Sequence, residues 1–289
     1  MRYVVAVAET NSFTRAAERC LVVQSALSHQ IARLERELGA RLFERTSRRV
    51  RLTAAGEAFL PAARQCLDAA ERAGAEVAAA IGEVRGRLTV GVIPTVAAVD
   101  VPAALQTFHR RYPHVRIGLR VGASGHLVEQ VKDNSIEVAF LGLPVSDRPE
   151  GVATCELAHD ELVAVVAPGH PLADESEVDL NRLSSEVFVD FPTGSAGRAQ
   201  TDQAFAAARV TREVAFEVTA ADFMARLIHQ GLGVALLPSK YVPNLTGVVV
   251  VPVTDAPARI EHLVWNRFTV TPAAKAFLEV LGVVSGEGD

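Results

Sequence analysis

From Gln24 to Leu38 the apolar residues Leu27, Ile31, Leu34 and Leu38 recur at the spacing of one buried face on an α-helix, and Gly39 stands where a left-handed cap would end it. The opposite side carries Ser25, His29, Ala32 and Arg36, with Gln24 and Ser28 near the helix start. That face is short, polar and mostly uncharged, whereas a solvated helix usually carries more Lys and Glu. Gln, Ser and His are side chains that exchange hydrogen bonds with base edges. A preceding helix is expected to start near Ser12, a residue type that caps by accepting a backbone N–H, and to pack through Phe13, Ala16 and Ala17. The pattern predicts a helix-turn-helix whose second helix enters a major groove.

Beyond the helices come Arg41, Arg45, Arg48, Arg49 and Arg51, and the alternation in RRVRLT predicts a short strand or hairpin arm. Such an arm reads as a wing, because arginine forks grip phosphate in pairs and a guanidinium can enter a minor groove. The competing reading is a solvated charged loop. Between residues 57 and 84 an alanine-rich helix is expected, with Leu60, Ala63, Leu67, Ala70, Gly74, Val77, Ile81 and Val84 alternating steps of three and four. A helix packed on its own domain shows the same period. The small residues favour close contact with a second copy, as a dimer or tetramer.

From Arg87 the period switches. Strand LTVGVIP, helix VAAVDVPAALQTFHRRYP, strand VRIGLRV, helix GHLVEQVKDN and strand IEVAFLGL form a βαβαβ unit, which implies a parallel sheet. A second set follows from about Cys155: strands ELVAVVAP and VFVDF, a helix over 196–208, strand EVAFEV, helix AADFMARLIHQ and the segment GLGVALLP. Two α/β lobes are predicted behind the N-terminal head, with a small-molecule cleft between them.

Charge sharpens this picture. Residues 1–56 hold ten Arg against five acidic residues, a formal charge of +5, while the whole chain carries −5, leaving −10 on the remainder. Only the head should be drawn to a polyanion, and salt should weaken that attraction. The 289 residues and 49% hydrophobic content exclude general disorder and allow two or three domains. Neither a signal-peptide core nor an apolar run of membrane-spanning length is read, so a cytoplasmic location with no membrane partner is expected. Cys20, Cys66 and Cys155 give neither a disulfide framework nor a zinc pattern and are expected to be reduced thiols. No cofactor or metal is called for.

Enzyme readings are weak. GASGH and GSAGR lack the nucleophile-elbow spacing, GLGVAL lacks the last glycine of a dinucleotide loop, and no phosphate-binding loop ends in Lys-Ser or Lys-Thr. The eight histidines are scattered, and His109 and His114 flank a helix end where a dipole contact suffices. The remaining alternative is a small-molecule sensory module whose head binds a protein rather than DNA.

The stretch AETNSFTRAAERCLVVQSALSHQIARLERELGARLFERTSRRVRLTAAGEAFLP, with LTVGVIP, the PGHPLA turn and LIHQGLGVALLP, resembles the LysR-type transcriptional regulators over essentially the full length. The resemblance implies a winged helix-turn-helix over 1–56 and a dimerising linker helix over 57–84. It also implies an effector domain like type 2 periplasmic binding proteins, with one lobe from 85–156 and 267–289 and the other from 157–266. The helix near Pro272 to Val284 should return to pack on the first lobe. DNA contacts are expected from Gln24, Ser25, Ser28, His29 and Arg33 on the recognition helix and from Arg45, Arg48 and Arg49 at the wing. Double-stranded promoter DNA, a small effector, a second copy of the chain and RNA polymerase are the partners implied.

Three departures from the family pattern matter. Val23 stands where Ser or Thr is common and can neither cap the helix nor touch phosphate, which should cost about 1 kcal/mol. His29 replaces a frequent Arg, making a weaker or pH-sensitive contact between roughly pH 5 and 8. The first helix begins about one turn late. For the effector, motif position places Thr95, Ser124, Phe191, Pro192 and Thr193 at the site. Helix starts near Thr95, Ser124 and Ser195 would offer N–H groups to an anion such as a carboxylate, although each hydroxyl is equally explained by N-capping.

Overall fold

The computed structural model describes residues 1–45 and 50–283, and the chain divides into two compact units, Met1–Glu83 and Val84–Asp289. The first contains α1 (Arg2–Thr10), α2 (Phe13–Arg19), α3 (Gln24–Leu38), the antiparallel pair β1 (Phe43–Arg45) and β2 (Val50–Leu52), and α4 (Ala54–Ala80). Ser12 caps α2 by accepting from the Arg15 N–H, and Gly39 ends α3 in the left-handed region at φ 69°. Leu27 and Ile31 of α3 are buried with Val4, Val7, Phe13, Ala16, Leu42 and Phe43. Complete burial of a side chain of this size contributes about 1.5–3 kcal/mol. Phe13 meets Phe43 edge to face, with ring centroids 5.7 Å apart, so the wing strand shares the core of the helices.

Two expectations need correction here. Leu38 is not part of the buried face but 46% exposed, because it lies in the last turn of α3, past the reach of the core. The long helix runs from 54 to 80 rather than from 57 to 84: Thr53 caps it by accepting from the Gly56 N–H, and Gly82 at φ 84° turns the chain after it. Ile81 and Val84 therefore lie beyond the helix whose seam they were expected to extend.

The second unit contains β3 (Gly86–Val92), α5 (Val101–Arg111), β4 (Val115–Val121), α6 (Ser124–Lys132), β5 (Val138–Pro144) and β6 (Ala153–Val166), followed by α7 (Leu180–Leu183), β7 (Val187–Asp190) and α8 (Ala196–Ala207). Next come β8 (Glu213–Glu217), α9 (Ala221–His229), β9 (Ala235–Pro238), β10 (Val249–Val251), β11 (Ala258–Trp265) and α10 (Pro272–Val280). Strands β4, β3 and β5 are parallel, as the βαβαβ pattern requires. β11 then joins β5 antiparallel, so the sheet is mixed rather than wholly parallel. The return to this sheet comes with β11 at Ala258, ahead of the boundary expected at 267, because Arg259–Trp265 pair along β5.

Helix α10 packs on the first lobe, where Phe277 meets Phe108 edge to face at 5.5 Å within a core that includes Leu88, Val90, Val138 and Leu263. Val284, the last residue of the expected helix, lies outside the described residues. The helix expected from Val96 starts only at Val101, where Asp100 accepts from the Ala103 N–H and Pro102 suits the first turn. The second lobe holds the parallel pair β7 and β8, with apolar clusters around Phe188 and Phe205 and around Val189, Met224 and Ile228. Strand β6 serves both lobes: 153–161 pair with β11, 162–165 with β9 and 164–166 with β10.

Candidate functional site

In the first unit α3 presents Gln24, Ser25, His29 and Arg33 to solvent, with Ser28 half-buried between them. Arg33 donates to Glu37 at 3.0 Å, a pair one helical turn apart that keeps the guanidinium along the helix surface. Val23 at the helix start makes no side-chain capping bond and is 69% exposed, which leaves the first turn of α3 without a capping side chain. The wing is fixed to this helix by Glu35, whose carboxylate accepts from the N–H groups of Leu42 (2.8 Å) and Phe43 (3.3 Å). Thr53 closes the other side by donating to the Arg41 carbonyl at 2.6 Å. Arg45 ends β1, and Arg51, paired across the hairpin with Glu44, is exposed on β2. Arg48 and Arg49 lie outside the described residues.

In the second unit Thr95, Ser124, Phe191, Pro192 and Thr193 line one cavity of about 360 Å³ between the lobes. Its apolar walls are completed by Ile93 and Val121, and its polar lining by Ser195, Gln200, Thr219 and Arg259. Thr95 follows β3 in a turn and not at a helix start, because the chain between it and α5 is tied elsewhere: the Glu261 carboxylate accepts from the Ala97 and Ala98 N–H groups at 3.1–3.2 Å. Ser124 opens α6, but its hydroxyl donates to the Gly142 carbonyl (3.0 Å) and accepts from the Gly142 N–H (3.2 Å). Ser195 caps α8 by accepting from the Arg198 N–H at 3.3 Å. The first turns of α6 and α8 both border the cavity, and backbone N–H groups there have no acceptor within their own helix.

Behind Thr95 lies Arg259, 4% exposed, which donates through Nη1 to Thr95 Oγ1 (2.9 Å) and through Nη2 to the Thr95 carbonyl (2.9 Å) and Glu261 (2.6 Å). Asp160 stands 3.6 Å from the same Nη2. Burial pushes the Arg259 guanidinium below its usual value, against the pull of Glu261 and Asp160. Gly142 makes room for this arrangement: a β-carbon there would come within 2.9 Å of Arg259 Nη1 and 2.8 Å of Ile93.

The description "Bacterial regulatory helix-turn-helix protein, lysR family" matches residues 1–57, and "LysR substrate binding domain" matches residues 82–284. The chain belongs to the LysR family of transcriptional regulators. It is 33% identical to the Hca operon transcriptional activator HcaR of Escherichia coli, over 97% of this chain and 95% of the relative. It is 30% identical to the transcriptional activator CmpR of Synechocystis, over 84% of this chain and 79% of the relative. Among solved structures, full-length CbnR complexed with its target DNA superposes with a TM-score of 0.74 at 26% identity, covering 97% of each chain. This LysR-type regulator thus consists of a DNA-binding helix-turn-helix and an effector-binding domain, not a catalytic one. That assignment sets aside the reading in which the head binds a protein.

The sequence reading of this regulator missed Arg259, Glu261, Asp160 and Gln200. The signal was the charged pair two residues apart in ARIEHLVW, an otherwise apolar run, since alternate strand residues share a face. Gln200 joins the lobes by donating to the Ala258 carbonyl at 2.9 Å. On the other rim, Thr193 donates to Glu217 at 3.0 Å, and Arg198 binds the same oxygen at 2.8 Å. The Thr193 hydroxyl, then Arg198, holds the Glu217 carboxyl below its ordinary value. Deeper in this lobe Asp190 pairs with Arg212 at 2.7 Å and accepts from the Phe191 N–H, which positions the backbone of the cavity wall. Arg212 is stacked against the Phe188 and Phe205 rings. Burial pushes the Asp190 carboxyl up, and Arg212 opposes the rise. Among the described residues no three His, Cys, Asp or Glu side chains could hold a metal ion, and no helix is long and apolar enough to cross a membrane.

Proposed function

We propose that this LysR-family chain acts in the cytoplasm as a homo-oligomer that binds promoter DNA and responds to a small carboxylate-bearing metabolite held between its effector lobes. The observation that carries the effector reading is the convergence of Thr95, Ser124, Phe191, Pro192 and Thr193 with the first turns of α6 and α8 on one cavity. Two helix N-termini favour negative charge at the same place, and the apolar walls suit the body of a small organic acid. On the DNA side, Gln24, Ser25, Ser28 and His29 would read bases or adjacent phosphates, and Arg33, Arg45, Arg48 and Arg49 would grip the backbone.

Self-association is supported by Ala70, Gly74 and Val77, which lie exposed along α4 with Val77 at 68%, an apolar row of small residues on a long helix. Two copies would supply two recognition helices for two half-sites, and RNA polymerase is the further partner that a promoter-bound regulator can contact. Effector binding changes the DNA complex only to the extent that it favours one lobe arrangement over another.

Fluorescence anisotropy on the DNA immediately upstream of the chain's own gene tests the reading, at two salt concentrations and with a panel of organic acids. Specific, salt-weakened binding that at least one acid shifts is the expected result. Equal binding to scrambled DNA would overturn the promoter assignment, and a protein to which no acid binds would overturn the anionic effector.

A further inference from the structure

Arg259 is the obvious counter-ion for an anionic effector, being the one charged side chain among the described residues that line the cavity. Its bonding says otherwise. The guanidinium faces two carboxylates, Glu261 at 2.6 Å and Asp160 at 3.6 Å, both buried. Nη2 gives both its hydrogens, to the Thr95 carbonyl and Glu261, Nη1 gives one to Thr95 Oγ1, and Nε is buried with no hydrogen-bond partner among the described residues. The charge already has carboxylate partners, and among the described residues no cation without such a partner lines the cavity.

The consequence falls on Thr95, which is 4% exposed. Its Oγ1 accepts from Arg259, so the hydroxyl proton must point elsewhere, and among the described residues no acceptor takes it. Ser124 differs, because its proton is already committed to the Gly142 carbonyl. An acceptor in the cavity would therefore meet a hydroxyl donor polarised by a guanidinium, together with backbone N–H groups at the starts of α6 and α8.

Building on the carboxylate reading above, we infer that Arg259 is a positioning residue and not the effector's counter-ion. It orients Thr95 as a donor while Asp160 and Glu261 hold its charge, so the cavity selects a single carboxylate over a dianion. A second carboxylate would have to shed its water with no free cation to receive it, facing a cluster with an excess of negative charge.

The test is isothermal titration of the full chain with matched acids: hexanoate against adipate, and cyclohexanecarboxylate against cyclohexanedicarboxylate. At least one monocarboxylate should bind, roughly tenfold or more tighter than its dianion. Thr95→Val should weaken that monocarboxylate by about ten- to a hundredfold, and Thr95→Ser, which restores the donor, by no more than about threefold. Asp160→Asn is the sharper variant. Its Oδ1 keeps the bonds from Glu161, Ser239 and Lys240, while Oδ2, which makes no hydrogen bond but stands 3.6 Å from Arg259 Nη2, is replaced and a charge is removed. The preference for the monoanion should then shrink by about tenfold, a ratio that a merely structural role would leave unmoved.

A dianion that binds as tightly as its partner, or a Thr95→Val protein with undiminished affinity, would overturn the inference while leaving the carboxylate reading in place. Failure of every acid to bind would overturn both.

Discussion

Gly56, in the first turn of α4, lies so close beneath the carbonyl of Leu42 that a β-carbon would come within 2.1 Å of its oxygen. No side-chain adjustment relieves a clash with backbone. The Leu42 N–H donates to Glu35 of α3 and its carbonyl accepts from the Thr53 N–H, so this point joins α3, the wing and the long helix. Gly56→Ala should therefore lower the stability of the head by about 1–3 kcal/mol and weaken DNA binding through displacement of the wing. Thermal unfolding followed by DNA anisotropy checks it, and an unchanged melting temperature would mean that the chain relaxes there at no cost.

Val23 predicts a change of the opposite sign. Its backbone is already extended at φ −75° and ψ 144°, the conformation of an N-cap, and only the accepting oxygen is absent. Val23→Ser should stabilise the head by about 1 kcal/mol, seen as a higher midpoint in urea unfolding. Loss of stability would show that the exposed isopropyl group has a contact of its own.

Gln24 tests the groove assignment. It is exposed at the first position of α3, and a bidentate amide contact to adenine discriminates by about 1–3 kcal/mol. Gln24→Ala should relax specificity at one base pair of each half-site, measured by competition among operator variants. A uniform loss across all variants would assign Gln24 to the phosphate backbone instead.

His262 predicts a pH dependence. It is 2% exposed on β11, its Nε2 has no hydrogen-bond partner among the described residues, and burial pushes its imidazole below the ordinary value of 6.5. Glu156 opposes that shift, while Arg148 and His159 add to it. The unfolded chain then takes up a proton more readily than the folded one, so this contribution is fully present above pH 6.5 and fades as the pH falls through the depressed folded value. His262→Gln should flatten the acid limb of the stability profile of the effector domain. An identical profile would place the acid sensitivity elsewhere.

The recognition helix was legible because one period governs it: Leu27 and Ile31 face the core and the polar residues do not, and both ends carry their own signals. The same periodicity overreached at Leu38, since a stripe does not announce where the core stops. That Thr95, Ser124 and Phe191 to Thr193 meet at one cavity was legible by motif. Arg259, Glu261 and Asp160 were not, because they sit on β11 and β6, strands whose register joins residues a hundred positions apart, which the spacing of Arg259 and Glu261 within one strand does not reveal. Asp100 was missed as a cap because the apolar run before it reads as helix, while Glu261, distant in sequence, holds that run as loop.

Strand β6 gives its backbone to β11 along one half and to β9 and β10 along the other, so the two lobes share a continuous ribbon there in place of a slack loop. Along that ribbon, any change in the angle between the lobes would twist a hydrogen-bonded ladder. A lobe rearrangement of the kind proposed above would have to distort paired backbone along β6 and could not be confined to side chains or a loose connection.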